Sequence, residues 1–205
     1  IYPDDFHGVV PKMLIKEGEK VALGQPVFYS KANPEIKFVS PVSGTLTQIE
    51  RGAKRRILAI AIDADGKDTT TKHNISALDA LSADDVKKLL LESGCWPFIK
   101  QRPYDIIANP DNAPKAIFIS GFNTAPLAAD VSFLLSSQEE DFQNGILALG
   151  KLAPKIHVSV DAHEDSFLTR VSGVELHRFK GQHPAGNVGV QVHHVDAVNA
   201  GETVW

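Results

Sequence analysis

Lys115-Ala116-Ile117-Phe118-Ile119-Ser120-Gly121 sets four apolar residues in a row between a lysine and a Ser-Gly pair. A short apolar run bounded this way suits a strand covered on both faces, as the strands of parallel sheets are. Downstream, Leu127 to Leu135 and Glu139 to Leu152 read as helices, and Lys155-Ile156-His157-Val158-Ser159-Val160 alternates like a second strand. Strand, helix, strand in that order builds a parallel sheet, and its crossover is expected to be right-handed. Upstream, Ser82 offers a capping hydroxyl, Asp84 and Asp85 suit a first helical turn, Val86, Leu89 and Leu90 follow at helical spacing, and Gly94 supplies a stop. Residues 67–205 are therefore expected to form a Rossmann-like α/β domain.

Residues 1–66 have a different texture. Short apolar runs such as Val27-Phe28-Tyr29, Ile36 to Val39, Thr45 to Ile49 and Ile57 to Ile62 alternate with the corners Glu17-Gly18-Glu19, Leu23-Gly24-Gln25-Pro26 and Ser40-Pro41-Val42-Ser43-Gly44. Glycine admits positive φ at such corners and proline presets the turn, so the segment reads as a small β barrel or sandwich. The fold class expected for the chain is thus α/β plus a small all-β domain.

Charge and composition narrow the function. The 205 residues carry 21 Lys and Arg against 25 Asp and Glu, a net charge of −4, which is not a surface built to neutralise phosphates. Nucleic acid is not expected as a partner. The single cysteine, Cys95, rules out an internal disulfide and a Cys₄ metal or iron–sulfur site within the chain. It reads as a small buried hydrophobe. No apolar stretch approaches the ~20 residues that span a bilayer. The start at Ile1 and the apolar stop at Thr203-Val204-Trp205 are read as cuts in a longer protein.

The familiar catalytic signatures do not occur. No Gly-x-Gly-x-x-Gly follows a strand, no Gly-x-x-x-x-Gly-Lys-Ser/Thr is present, and no Gly-x-Ser-x-Gly elbow. No catalytic residue is assigned. Of the eight histidines, His177, His183, His193 and His194 crowd the C-terminal end. Val188-Gly189-Val190-Gln191-Val192-His193-His194 alternates like a strand, which would send the last two to opposite faces, so no metal site is expected. Ligands of open α/β sheets gather beyond the carboxyl ends of strands. Two loops occupy such positions, Ser120-Gly121-Phe122-Asn123-Thr124 and the acidic Asp161-Ala162-His163-Glu164-Asp165, the second reading as a solvated loop.

The corners of the first third, in their order, resemble those of the biotinyl/lipoyl carrier domain. The resemblance implies a modified lysine, for which Lys31 in Tyr29-Ser30-Lys31-Ala32-Asn33-Pro34 is the nearest residue, with Asn33-Pro34 read as the hairpin turn. Against this stands an ordinary structural hairpin. Across the whole chain, Asn33-Pro34-x-Ile36-Lys37-Phe38, Arg51-Gly52-Ala53-Lys54-Arg55, Glu92-Ser93-Gly94-Cys95-Trp96 with Arg102-Pro103-Tyr104, Asn123-Thr124-x-Pro126-Leu127-Ala128 and Gly181-x-His183-Pro184-Ala185-Gly186 stand in fixed order. Together they resemble the A subunit of the bacterial sodium-translocating NADH:quinone reductase.

That resemblance implies a peripheral protein on the cytoplasmic face of the bacterial inner membrane, partnered by the other subunits of a sodium pump. It implies ubiquinone as a ligand, with NADH, flavins and the iron–sulfur centre held by partner subunits. Fold relatives that bind flavin carry a glycine-rich loop where this chain has the bulky Ser93 to Tyr104, so no redox cofactor of its own is expected. Trp96, Phe98 and Tyr104 are expected to wall a quinone slot, with Arg102 and His183 as donors and Asn123, Thr124 and Gly186 beside them. The competing readings are ordinary core for the aromatics and a self-bonded turn for His183. Arg51, Lys54, Arg55 and Arg56 form a basic cluster expected to meet a partner or anionic headgroups, or else a solvated face. The alternatives are a purely structural scaffold role in the complex and a lipoyl-type carrier.

Overall fold

A computed structural model describes residues 1–73 and 77–205. The chain divides into two compact units, the first comprising Ile1–Ile75, Lys87–Lys100 and Ile106–Ala108, the second Ser76–Val86, Gln101–Asp105 and Asn109–Trp205.

The first unit contains two three-stranded antiparallel sheets. Strands β1 (Pro11–Met13), β3 (Pro26–Ser30) and β4 (Asn33–Val39) form one, and β2 (Lys20–Val21), β5 (Gly44–Arg51) and β6 (Ile57–Ala64) form the other. The runs read as strands bury Val27, Phe28, Ile36, Phe38, Leu46 and Ile60, with Phe28 stacked on Phe38 at 4.4 Å. Side chains hold the corner before β5. Ser43 Oγ donates to Asp65 Oδ1 at 2.6 Å, which with the Lys67 N–H lowers the Asp65 pKa below its usual value. Gly44 faces β6 so closely that a Cβ would stand 1.9 Å from Asp63 O, and only glycine fits there.

Asn33 and Pro34 are not the hairpin turn. Both lie in β4, where Asn33 pairs with Ser30, and the exposed turn is Lys31-Ala32. Part of the segment beyond residue 66 packs with the β strands. Residues 87–100 belong to the first unit, because Leu91 and Trp96 are buried, Gly94 presses on Val39, and Phe98 sits edge-on to Phe6 at 6.1 Å. Cys95 is exposed rather than buried, since its neighbours Gly94 and Trp96 take the inward positions.

Helix α1 (Ala83–Glu92) begins as its sequence predicts: Ser82 Oγ accepts from Asp85 N at 3.2 Å, and Asp85 Oδ2 accepts from Ser82 N at 3.0 Å. Strands β7 (Lys100–Gln101) and β8 (Ile106–Ile107) pair as a short ribbon.

The second unit carries a parallel sheet of β9 (Ile117–Ser120), β10 (Ile156–Asp161) and β11 (Glu175–Phe179), ordered β11-β10-β9. On the free side of β9 the terminal segment continues the sheet: Lys115 N donates to Thr203 O, Trp205 N to Ala116 O, and Phe118 N to Trp205 O at 2.7 Å. In chain order this is the 3-2-1-4 arrangement of a Rossmann half, with the switch point between β9 and residues 203–205. Between β9 and β10 lie α2 (Val131–Leu134) and α3 (Glu139–Leu149). The expected helix over Leu127 to Leu135 shrinks to four residues, because Leu127 has φ 62° and the helix starts only after Asp130, whose carboxylate caps Phe133 N.

Val188 to His194 reads as a strand, yet it forms part of helix α4 (Val188–Asp196). Alternate valines mimic a strand, but Val188, Val192 and Val195 also recur at helical spacing and pack on Ala116, Phe118 and Val204. The core of the sheet lies under that face.

Candidate functional site

Beyond the carboxyl end of β9, two loops of the second unit interlock. Ser120 Oγ lies 2.8 Å from Phe122 O and 3.3 Å from Gly186 O, and it accepts from Gln191 Nε2 at 2.9 Å. Gly186 N donates to Thr124 Oγ1 at 2.9 Å. A Cβ on Gly186 would stand 2.4 Å from Thr124 N, so the close approach requires glycine. Asn123 Oδ1 accepts from Ala125 N at 2.9 Å, and Thr124 Oγ1 stands 3.4 Å from His183 Nδ1. Thr124 Oγ1 thus contacts both the Gly186 N–H and the His183 ring. The His183 ring itself is exposed. Asn123, Thr124, His183 and Gly186 thus come together, as the sequence groups them.

The other four residues of that group are placed differently. Trp96 is fully buried in the first unit, donating from Nε1 to Ala108 O at 2.8 Å, so it is core and does not wall an open slot. Phe98 and Tyr104 are 74% and 75% exposed. Arg102 pairs with Asp105 at 3.5 Å, and it does not stand among the residues that bond His183.

Arg102 instead lines a cavity of about 270 Å³ with Pro103, Gly189, Val192, His193, Ala197 and Val198. The walls are mostly aliphatic, with one guanidinium and one imidazole as polar groups, a lining of the general kind found in small-molecule pockets. Lys115 fixes the chain beside it. That ammonium meets Asp196 at 2.5 Å and Glu202 at 3.0 Å, and also donates to Ala197 O at 3.3 Å. Asp196 and Glu202 together raise the Lys115 pKa, and the Asn199 N–H, ahead of Lys115, lowers that of Glu202. His193 has no place among the sequence-predicted site residues, because its segment reads as a strand and not as the helix that brings it to the cavity.

In the first unit, the turn between β5 and β6 holds the basic cluster. Arg51, Lys54, Arg55 and Arg56 line a cleft of about 680 Å³ with Lys12 and Asp4. Lys54 and Arg55 both have positive φ, at 53° and 61°, and Arg51 Nη1 donates to Arg55 O at 3.4 Å. Arg56 pairs with Asp4 at 2.7 Å.

A third constellation takes in His177 of the C-terminal histidines, with two residues that the sequence does not group with it. His157, Glu175 and His177 converge at the edge of the second unit's sheet, their ligand atoms all within 4.8 Å of one another. Burial pushes the His157 pKa down, opposed by the nearby Glu175 carboxylate. Only the i, i+2 spacing of Glu175 and His177 hints at a shared face.

Two family models match the chain, and their division falls between residues 65 and 81. Residues 81–205 match the family model described as the NqrA second alpha/beta domain, and residues 1–65 the NqrA N-terminal barrel-sandwich hybrid domain. The chain is similar to the A subunit of the Na(+)-translocating NADH-quinone reductase of Actinobacillus succinogenes, 37% identical over 98% of this chain and 46% of that relative. It is similar to the corresponding protein of Neisseria gonorrhoeae at 38% identity, over 98% of this chain and 46% of the relative. The Pseudomonas aeruginosa protein matches at 37%, over 98% of this chain and 45% of the relative. The chain spans about half the length of the curated relatives it matches.

Proposed function

The chain belongs to the NqrA family, and on that premise we propose that it is the quinone-facing and docking portion of its subunit in a sodium-translocating NADH:quinone reductase. The observation that carries the quinone reading is the cavity of about 270 Å³ around Arg102 and His193. Its aliphatic walls from Val192, Ala197 and Val198 suit a quinone ring, and its guanidinium and imidazole donors suit carbonyl oxygens that become more basic on reduction. The volume falls just below the ~300–1,000 Å³ range of ligand pockets, which suits a ring with its tail outside.

Asn123, Thr124, Gly186 and His183 take local roles in this reading. Thr124 and Gly186 lock two loops together, and His183 is the exposed donor at their edge. The reading that the chain holds no redox cofactor rests on Ser93 to Tyr104. There Trp96 and Pro97 are buried, and the backbone is not the glycine-lined cradle that a flavin phosphate needs.

Docking is supported by apolar side chains left in solvent: Leu127, Phe133 and Tyr104 are 105%, 75% and 75% exposed. Among the described residues no helix is long and apolar enough to cross a membrane. We place the chain peripherally, on the cytoplasmic face of the complex. The basic cleft of the first unit is the part of the chain suited to anionic headgroups or an acidic partner. The scaffold reading, in which quinone binds elsewhere in the assembly, draws on the same exposed apolar residues.

Calorimetric titration with a short-chain ubiquinone separates the two. The quinone reading expects saturable binding that Arg102→Ala and His193→Ala each weaken by at least ~1 kcal/mol. Equal affinity in both variants removes the cavity as the site, and no binding at all favours the scaffold reading.

A further inference from the structure

We propose that His157, Glu175 and His177 form a binding site for one divalent transition-metal ion of the zinc class, with water in the remaining coordination position. The proposal is independent of the quinone reading, because it concerns the opposite edge of the sheet from residues 203–205.

The site follows from strand register. Parallel pairing sets His157 opposite Glu175 and Ser159 opposite His177. Side chains two apart on a strand share a face, so Glu175 and His177 both flank His157. The resulting distances are 3.0 Å from His157 Nδ1 to His177 Nε2 and 3.4 Å from His157 Nδ1 to Glu175 Oε2. Ligands at zinc distances of ~2.0–2.2 Å around a tetrahedral centre are themselves about 3.4 Å apart, close to these two separations, and all three ligand atoms lie within 4.8 Å of one another.

Burial makes the arrangement more than a surface coincidence. His157 is 2% exposed and its ring lies 4.6 Å from that of Phe118. Its Nε2 is buried with no hydrogen-bond partner among the described residues, so Nδ1 is the ring's one engaged polar atom, and it points into the cluster. β11 is the sheet's outer strand and Glu175 is exposed, so an ion can enter from solvent. Two imidazoles and one carboxylate are the donor set of zinc sites that keep an open position.

The charges around the cluster are mixed. Lys155 lies 3.8 Å from Glu175 but is itself half exposed, and can swing away as the ion arrives. Asp196 on α4 adds negative potential at His157. The proton balance closes without a co-reactant. In the empty site one N–H lies between the two rings; on binding, both facing nitrogens give their lone pairs to the ion, and that hydrogen moves to the other nitrogen of its own ring. A bound ion would tie β11 to β10 at the point where pairing begins.

The test is calorimetric titration of chelator-treated protein with Zn²⁺ alone, followed by Co²⁺ as a spectroscopic reporter. The expected result is one ion per chain. His177→Ala and Glu175→Gln should each weaken it by at least ~10-fold. Co²⁺ should give the strong visible absorption of a four-coordinate centre, absent in both variants. These two positions are partly or fully exposed, so the variants keep their fold, which the far-ultraviolet circular dichroism spectrum checks. His163→Ala serves as a control that leaves binding unchanged. Zinc binding that is absent, or that persists undiminished in both His177→Ala and Glu175→Gln, overturns the proposal.

Discussion

Gly186 shows how much one residue can settle. Its missing Cβ lets the backbone of one loop lie against the other, where a methyl group would stand only 2.4 Å from Thr124 N. Gly186→Ala must therefore spread the two loops, an overpacking expected to cost ~1–3 kcal/mol in urea unfolding. Full stability in that variant would mean the loops have slack. Glu202 makes a pH prediction at the same scale. The Asn199 N–H, then Lys115, hold its carboxyl below the usual 4.5. A carboxylate whose folded pKa is depressed stabilises the fold above its unfolded pKa and loses that contribution as pH falls through the folded value. Melting temperature should therefore drop below about pH 5, and Glu202→Gln should show a shallower drop. Lys115, whose pKa is raised, has the opposite sign, and its contribution disappears only above 10.5.

At the scale of elements, caps and periods decide what is legible in the sequence. Ser82 and Asp85 make reciprocal bonds at the start of α1, and the sequence places that start correctly because the capping chemistry is local. Ser82→Ala should destabilise the chain by about 1 kcal/mol, read as a lower urea midpoint at unchanged slope. The two parallel strands β9 and β10 are equally legible, since four apolar residues and a clean alternation identify them. Helix α4 is not. Val188, Val190 and Val192 satisfy a period of two, and the helical period emerges only when Val195 is counted with Val188 and Val192. That ambiguity hides His193 and with it the cavity. The His157 cluster is illegible for a different reason: His157 and His177 are 20 residues apart, and only strand register joins them.

At the scale of the whole molecule, a net charge of −4 coexists with a cleft lined by Lys12, Arg51, Lys54, Arg55 and Arg56. Segregated charge of this kind favours orientation against an anionic surface. Vesicles containing anionic lipid should bind the protein in low salt, and the double variant Lys54→Glu, Arg55→Glu should bind much less, with loss of binding at high salt in both. Equal binding by the variant would make the cleft a solvated face. Leu91 and Trp96 pack in the first unit, which no local pattern announces.

A quinone-facing role turns on the cavity around Arg102 and His193, and mapping of amide chemical shifts during titration with a short-chain ubiquinone tests it most directly. The largest shifts should fall on Arg102, Gly189, Val192, His193, Ala197 and Val198, the residues around that cavity. Shifts confined to other parts of the chain, or none at saturating quinone, would contradict it.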